Sequence, residues 1–404
     1  MSELPKLILA VCLIALCIQA RGADCPFPFV RGVDASFLRQ IEDHGGAYYD
    51  GGLKRDALAI FRNHGVNLLR LRVWNNPADG YSGKADVLGL ASRGHALGMR
   101  LLIDFHYSDT WADPAHQTKP AAWATLSDDA LRTAVHDFTK DIVSSLAAQG
   151  TPPDFVQVGN EIRAGMLWPT GYVSGGTDPN WPRFASLLKA GVAGVKDGMP
   201  AGRSTSIVLH IDSGGNNAWC RDWYDAAVRN AVPFDTIGLS YYPWWHGTPQ
   251  ALAANLGDLA QRYGKPVMVV EAAYPWTLAN QDATNNIVGL PSQLSTGYPA
   301  TPAGQRAFLD AVFSIVRAVP GGKGAGVVYW EPDWISTASF GSAWENLATF
   351  DFGGNVLTSI DAFSDPVGDV KQALRVAGGL CPSTPDSAGN LVEATALLRR
   401  ALGL

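Results

Sequence analysis

From residue 29 onward the chain alternates short apolar runs with longer segments of helical periodicity. Eight runs have the length and the aliphatic, β-branched character of buried strands: 29–34, 68–73, 100–106, 155–161, 206–211, 236–241, 266–271 and 326–331. Between them, segments such as 54–64, 85–97, 128–148 and 250–263 repeat apolar residues three and four apart. Asp128 opens one of these helices with an N-terminal signal, and Gly65 closes another. Eight strand-then-helix units predict an α/β chain folded as a closed (β/α)8 TIM barrel in one domain. A doubly wound open sheet is the competing architecture, and the lack of Gly-x-Gly-x-x-Gly after the first run weighs against it.

The polar residues sharpen this picture. Run after run stops on a functional group: Asp34, Arg70 and Arg72, Asp104 and His106, Asn160 and Glu161, His210 and Asp212, Tyr241 and Tyr242, Glu271, Trp330 and Glu331. In a barrel these ends converge on one face, which is where the active sites of such folds lie. The segments after the strands are long and rich in Trp, Gly, Asn and Asp, as at 107–123, 162–181 and 272–298, whereas those before the strands are short. Long loops over one rim would wall a cleft.

Two strands that each deliver a Glu to the same rim suggest glycoside hydrolysis, which needs one carboxyl as acid and then base and another as nucleophile or water activator. The acid needs a raised pKa, and the nucleophile needs cations and donors. Glu161 is the first candidate. Glu271 and Glu331 compete for the second role. Arg70 or Arg72, Asn160, and a Tyr at 241 or 242 are the available donors.

Composition narrows the partners. The chain has 404 residues and a formal charge of −6, which argues against nucleic acid. Thirteen Trp and twelve Tyr suit stacking on sugar faces. Residues 7–18 form an apolar segment after Lys6, followed by small residues at Ala20 and Ala23; it reads as the core of a signal peptide spanning 1–23, with an uncleaved anchor as the alternative. Residues 24–383 are then the catalytic domain and 384–404 a tail, helical by its pattern. The expected protein is secreted or periplasmic, monomeric, and free of the membrane once the leader is removed. Cys25, Cys220 and Cys381 remain, and the pair flanking the body, Cys25 and Cys381, is the favoured disulfide. No Cys-x-x-Cys or His-Glu-x-x-His spacing calls for zinc, and no cofactor is expected.

Several longer motifs carry a resemblance. They include Arg31-Gly-Val-Asp34, Arg70-Leu-Arg-Val-Trp-Asn-Asn-Pro77, Asp104-Phe-His-Tyr-Ser-Asp-Thr-Trp-Ala-Asp-Pro114, Gly159-Asn-Glu-Ile-Arg-Ala-Gly-Met-Leu-Trp-Pro169, Ser240-Tyr-Tyr-Pro243, Val269-Val-Glu271 and Tyr329-Trp-Glu-Pro332. With them the chain resembles family 53 glycoside hydrolases, the arabinogalactan endo-β-1,4-galactanases, within the wider clan of two-Glu barrels. The resemblance implies a β-1,4-galactan substrate, Glu161 as acid/base and Glu271 as nucleophile in a retaining double displacement. It implies that Arg70, Asn160 and Trp330 surround the sugar at the cut. His106, His210 and Tyr241 or Tyr242 are similar to inward polar residues of the clan. Asp104, Asp212 and Glu331 join them as wall residues, and Trp111 and Trp244 are candidate sugar platforms. Bacterial relatives carry calcium in the loop after the seventh strand; in this chain Asn280, Asp282, Asn285 and Asn286 offer a single carboxylate, so calcium is not expected. Another β-glycanase, such as a mannanase or glucanase, and a non-catalytic polysaccharide-binding protein are the alternatives.

Overall fold

A computed structural model describes residues 29–365, of which Phe29–Ser364 form one compact unit. The signal segment, Cys25, Cys381 and the 384–404 tail lie outside the described residues.

Eight parallel strands close into a barrel: β1 (Val30–Asp34), β2 (Leu68–Val73), β3 (Arg100–Phe105), β4 (Phe155–Val158), β5 (Ser206–Ile211), β6 (Thr236–Tyr241), β7 (Val267–Ala272) and β8 (Gly324–Trp330). Each strand pairs with its sequence neighbours, and β1 closes the ring against β8. Seven helices of the outer layer alternate with them: α1 (Ala57–Asn63), α2 (Lys84–Ala96), α3 (Asp128–Ala148), α4 (Trp181–Gly198), α5 (Asn217–Arg229), α6 (Pro249–Tyr263) and α7 (Pro302–Arg317). Side chains of Asp56, Ser127, Asn216, Thr248 and Thr301 cap α1, α3, α5, α6 and α7 by accepting backbone N–H groups of the first turn.

Several expected boundaries shift by one to three residues, and three of the shifts have a plain local cause. The first helix starts at Ala57 and not at 54, because 53–55 pairs as a hairpin strand with Tyr48–Asp50 and Asp56 then caps the helix. β4 ends at Val158, three residues before Glu161, because Gly159 turns with φ +88°. β8 ends at Trp330, and Glu331 leaves the strand at φ +47°.

Alternation along the strands sorts the barrel interior into layers. Val30, Leu68, Leu102, Phe155, Val208 and Val328 belong to one apolar cluster, joined by Met268 and Val270 of β7. Two residues further along, the same sides of β2, β3, β4 and β5 present Arg70, Asp104, Gln157 and His210, all buried. A dry plug thus supports a polar layer, and that layer is the floor of the site. Helices α3 and α4 pack closely outside β4; a Cβ on Gly194 would lie 2.4 Å from the His136 carbonyl, so only glycine permits this approach.

Candidate active site

Glu271 reaches the interior through an irregularity. On β7 the even residues Met268 and Val270 face inward, so strict alternation would send residue 271 outward. The pairing of β6 with β7 slips by one residue, from Leu239 opposite Val269 to Ser240 opposite Glu271. This bulge re-aims Glu271 into the barrel beside Ser240. Glu161 arrives differently. It sits beyond the strand in the left-handed region, φ 48° and ψ 46°, a conformation that costs a non-glycine residue about 1 kcal/mol or more and clusters at functional sites.

The two carboxylates share one hydroxyl. Ser240 Oγ lies 2.6 Å from Glu161 Oε1 and 3.4 Å from Glu271 Oε2, so these oxygens are at most about 6 Å apart. Their other partners differ. Glu271 accepts from Arg70 Nη2 at 2.9 Å and from the Tyr242 hydroxyl at 2.9 Å. Among the described residues no cation touches Glu161; its surroundings are Ser240 and, through space, the negative charges of Glu271 and Asp212. Burial pushes the Glu161 carboxyl well above its ordinary range, and those two charges push it further. Burial also raises Glu271, to about 7, but Arg70 and the Tyr242 hydroxyl pull the other way. Glu271 is therefore the more readily ionised of the two, and Glu161 the better proton holder.

Arg70 is the hub of the floor. It donates to Asp34 (2.7 Å), Asp104 (2.8 Å), Asn160 Oδ1 (3.0 Å) and Glu271. Burial works against its charge, but Asp104, Glu271 and Asp34 more than offset this and hold it cationic. His106 Nδ1 accepts from Trp74 Nε1–H and from the Ala112 N–H, which leaves Nε2 to donate to Asp104 at 3.1 Å. His210 is kept neutral by burial and by the nearby Arg70. Its Nε2 is 2.8 Å from Ser240 Oγ, while its Nδ1 faces an acceptor, Asn160 Oδ1, and a donor, Gln157 Nε2. Either tautomer is thus satisfied. The Glu161–Ser240–His210 chain can run with Glu161 donating or accepting.

Glu331 has a different setting. It is fully buried, pairs with Arg72, and accepts the Phe37 N–H at 3.3 Å. Arg72 itself is boxed by Phe37 and Trp111, 4.0 and 4.6 Å from their ring centres. Glu331 is thus held beneath the wall by Arg72, and Glu271 is the carboxylate that shares Ser240 with Glu161.

Known proteins share this architecture. The sequence model of glycosyl hydrolase family 53 matches residues 30–363. The chain belongs to that family. An arabinogalactan endo-β-1,4-galactanase of Cellvibrio japonicus is 39% identical over 357 residues, covering 86% of this chain and 93% of that one. An uncharacterised protein of Niallia circulans is 48% identical over 343 residues, 83% of this chain and 93% of that one. The solved family 53 catalytic domain of Ignisphaera aggregans superposes with a TM-score of 0.78 at 39% identity, covering 85% of this chain and 98% of that one. The protein is a glycoside hydrolase on a (β/α)8 barrel.

In this family 53 barrel the remaining expected residues divide. Asn160, Asp212, Tyr242 and Trp330 reach the rim around the carboxylates, with Trp330 half-buried against Trp111 and Trp344. Asp104 and His210 are fully buried beneath them, bonded to Arg70 and Ser240. Tyr241 points out of the barrel: its ring stacks on Phe308 of α7 and its hydroxyl donates to the Gly247 carbonyl. The expectation of Tyr241 as a ligand contact is corrected to Tyr242 alone, because adjacent strand residues face opposite sides. Trp244 is packed against Tyr242 and Trp344, while its neighbour Trp245 is 58% exposed and takes the open position. Ser240 and Gln157 are not among the residues expected from the sequence. Ser240 heads the Ser-Tyr-Tyr-Pro motif, and Gln157 lies two residues from Phe155 on the inward side, so alternation along β4 is the signal that finds it.

In the loop after β7, Asp282 accepts the N–H groups of Thr284 (2.6 Å) and Ser342 (2.7 Å), which fold the loop. Among the described residues no cluster of three His, Cys, Asp or Glu forms a metal cage. Cys220 is a buried free thiol, its pKa pushed up to about 12 by burial.

Proposed function

We propose that this protein is a secreted endo-β-1,4-galactanase that cuts the galactan backbone of type I arabinogalactan by a retaining double displacement. The single observation that carries the mechanism is the shared Ser240 hydroxyl. Carboxylate oxygens that share one hydroxyl, at most about 6 Å apart, suit the about 5–5.5 Å separation of a nucleophile and acid/base pair better than the about 6.5–9.5 Å of an inverting enzyme. The substrate reading draws support from the Cellvibrio japonicus relative, whose name gives that activity.

In the first step Glu271 attacks the anomeric carbon while Glu161 gives its proton to the bridging oxygen, and the leaving chain departs. In the second, Glu161 takes a proton from water, whose oxygen attacks the same carbon and releases Glu271. The Arg70 cation and the Tyr242 hydroxyl keep Glu271 ionised for attack. The Ser240–His210 pair keeps Glu161 hydrogen-bonded whether it is acid or base.

Chromatography of the products from linear β-1,4-galactan tests this reading. The expected result is a ladder of oligosaccharides, with rates above those on mannan or β-glucan. Galactose as the sole product, or preference for mannan, overturns it. Glu161→Gln and Glu271→Gln should each lower kcat/KM by several orders of magnitude, roughly the scale of losing a general acid or a nucleophile. A Glu271 variant that retained most of its turnover would remove the assigned nucleophile.

A further inference from the structure

The Ser240 hydroxyl has more partners than hydrogens. It is fully buried and lies 2.6 Å from Glu161 Oε1, 3.4 Å from Glu271 Oε2 and 2.8 Å from His210 Nε2. A serine hydroxyl carries one hydrogen and two lone pairs. Where that hydrogen goes depends first on His210.

The imidazole settles its own side. Besides Gln157 Nε2 at 3.0 Å, the Glu161 N–H faces Nδ1 at 3.4 Å, so two donors meet that nitrogen against one acceptor. That acceptor, Asn160 Oδ1, takes a hydrogen from Arg70 at 3.0 Å. The balance places the hydrogen of the neutral ring on Nε2, where it donates to Ser240. Ser240 therefore accepts from His210, and its own hydrogen is left for the carboxylates.

In a double displacement the charge on those carboxylates moves. Before the first step Glu271 is ionised and Glu161 protonated. Glu161 then donates to the second lone pair of Ser240, and Ser240 donates to Glu271. Once the bridging oxygen has taken the Glu161 proton and Glu271 is bonded to the anomeric carbon, Glu271 is a neutral ester and Glu161 carries the charge. The hydroxyl now turns to Glu161, by rotation about its own Cβ–Oγ bond, while His210 keeps its tautomer. The two carboxylates do not depend on it equally. Glu271 also accepts from Arg70 and Tyr242, whereas among the described residues Ser240 is the one side chain bonded to Glu161.

We propose that Ser240 is a hydrogen-bond switch, passing its single hydrogen from Glu271 to Glu161 between the half-reactions, and that the second half-reaction is the one that requires it. Ser240 is a positioning residue, itself oriented by His210. The inference rests on the double displacement proposed above.

The test uses the full chain and a dinitrophenyl β-1,4-galactobioside, whose leaving group departs without a proton. The first step is then fast and the second limits turnover. Ser240→Ala should keep the burst of dinitrophenolate and most of its kcat/KM, while kcat falls about ten- to hundredfold, the scale of one hydrogen bond to a charged group. Azide should restore much of that loss. It attacks the anomeric carbon with its own electron pair, the ester bond to Glu271 breaks, and Glu161 has no proton to take; the product is the β-galactobiosyl azide. Ser240→Thr keeps a hydroxyl and should return most of kcat. Thermal melting checks the fold, and Ser240→Cys, whose thiol is a weak donor, stands in with the same pattern if Ser240→Ala melts early. Parallel falls in kcat and kcat/KM with no response to azide overturn the switch, and the galactanase reading stands as long as the wild type cuts linear galactan into oligosaccharides. An α-azide or an inverted sugar from the wild type overturns the double displacement itself, and the switch with it.

Discussion

Glu161 and Glu271 share a residue type and a rim, and their neighbours make them different acids. Arg70 and Tyr242 favour the charged form of Glu271; the Ser240 hydroxyl favours that of Glu161, but among the described residues no cation joins it and burial and the charges of Glu271 and Asp212 work against it. Tyr242→Phe removes a hydrogen bond that lowers the Glu271 pKa, so that pKa should rise above its value of about 7. In the proposed mechanism Glu271 is ionised when it attacks, so the acid limb of kcat/KM should move to higher pH in this variant. A limb that stayed in place would mean that Tyr242 does not tune the nucleophile. Stability offers a second measurement. A carboxyl whose folded pKa is raised holds its proton more tightly when folded. Its contribution is complete below the ordinary value of 4.5 and is lost as pH rises through the raised value. Glu161→Gln is neutral throughout and keeps a partner for Ser240. Its Tm should exceed that of the wild type at about pH 8 and match it at about pH 4. A gain of equal size at both pH values would mean that burial of charge is not the cause.

Among the elements, two local departures from regular strands aim the chemistry. The one-residue slip between β6 and β7 turns Glu271 inward, and the left-handed turn after β4 lifts Glu161 above the strand end. Regular strands would have left the first facing the helices and the second extended. Packing sets the frame for both. α3 and α4 meet across Gly194, where an added Cβ would face the His136 carbonyl at 2.4 Å and the Thr139 side chain at 2.9 Å. Gly194→Val should destabilise by about 1–3 kcal/mol through overpacking. Thermal melting reads this as a lower Tm, with kcat on galactan close to that of the wild type because the contact lies outside the barrel. An unchanged Tm would mean that the helices slide apart freely.

Across the barrel, the layered interior explains how one face stays both rigid and polar. An apolar plug supports a network in which Arg70 serves three carboxylates, and above it the long loops leave a groove. Secretion would act on the full chain: the mature protein should lack residues 1–23, and the intact mass of protein recovered from outside the cell checks it. The order of eight strands and their helices is legible in the residues alone, because burial on both faces writes strands as apolar runs and amphipathic helices write a 3.6-residue period. So is the gathering of Glu161, Glu271, Arg70 and Asn160 at one rim, because the ends of parallel strands in a barrel must converge. Between Glu271 and Glu331 the pattern of strand ends leaves the choice open and the family resemblance alone favours Glu271; the physical reason lies in three dimensions, since a bulge and the buried pairing with Arg72 involve partners distant in the chain. The same holds for Tyr242 over Tyr241 and for Trp245 over Trp244. Adjacent residues of one type differ only in which side of the backbone they leave, and that side is set by what each one packs against.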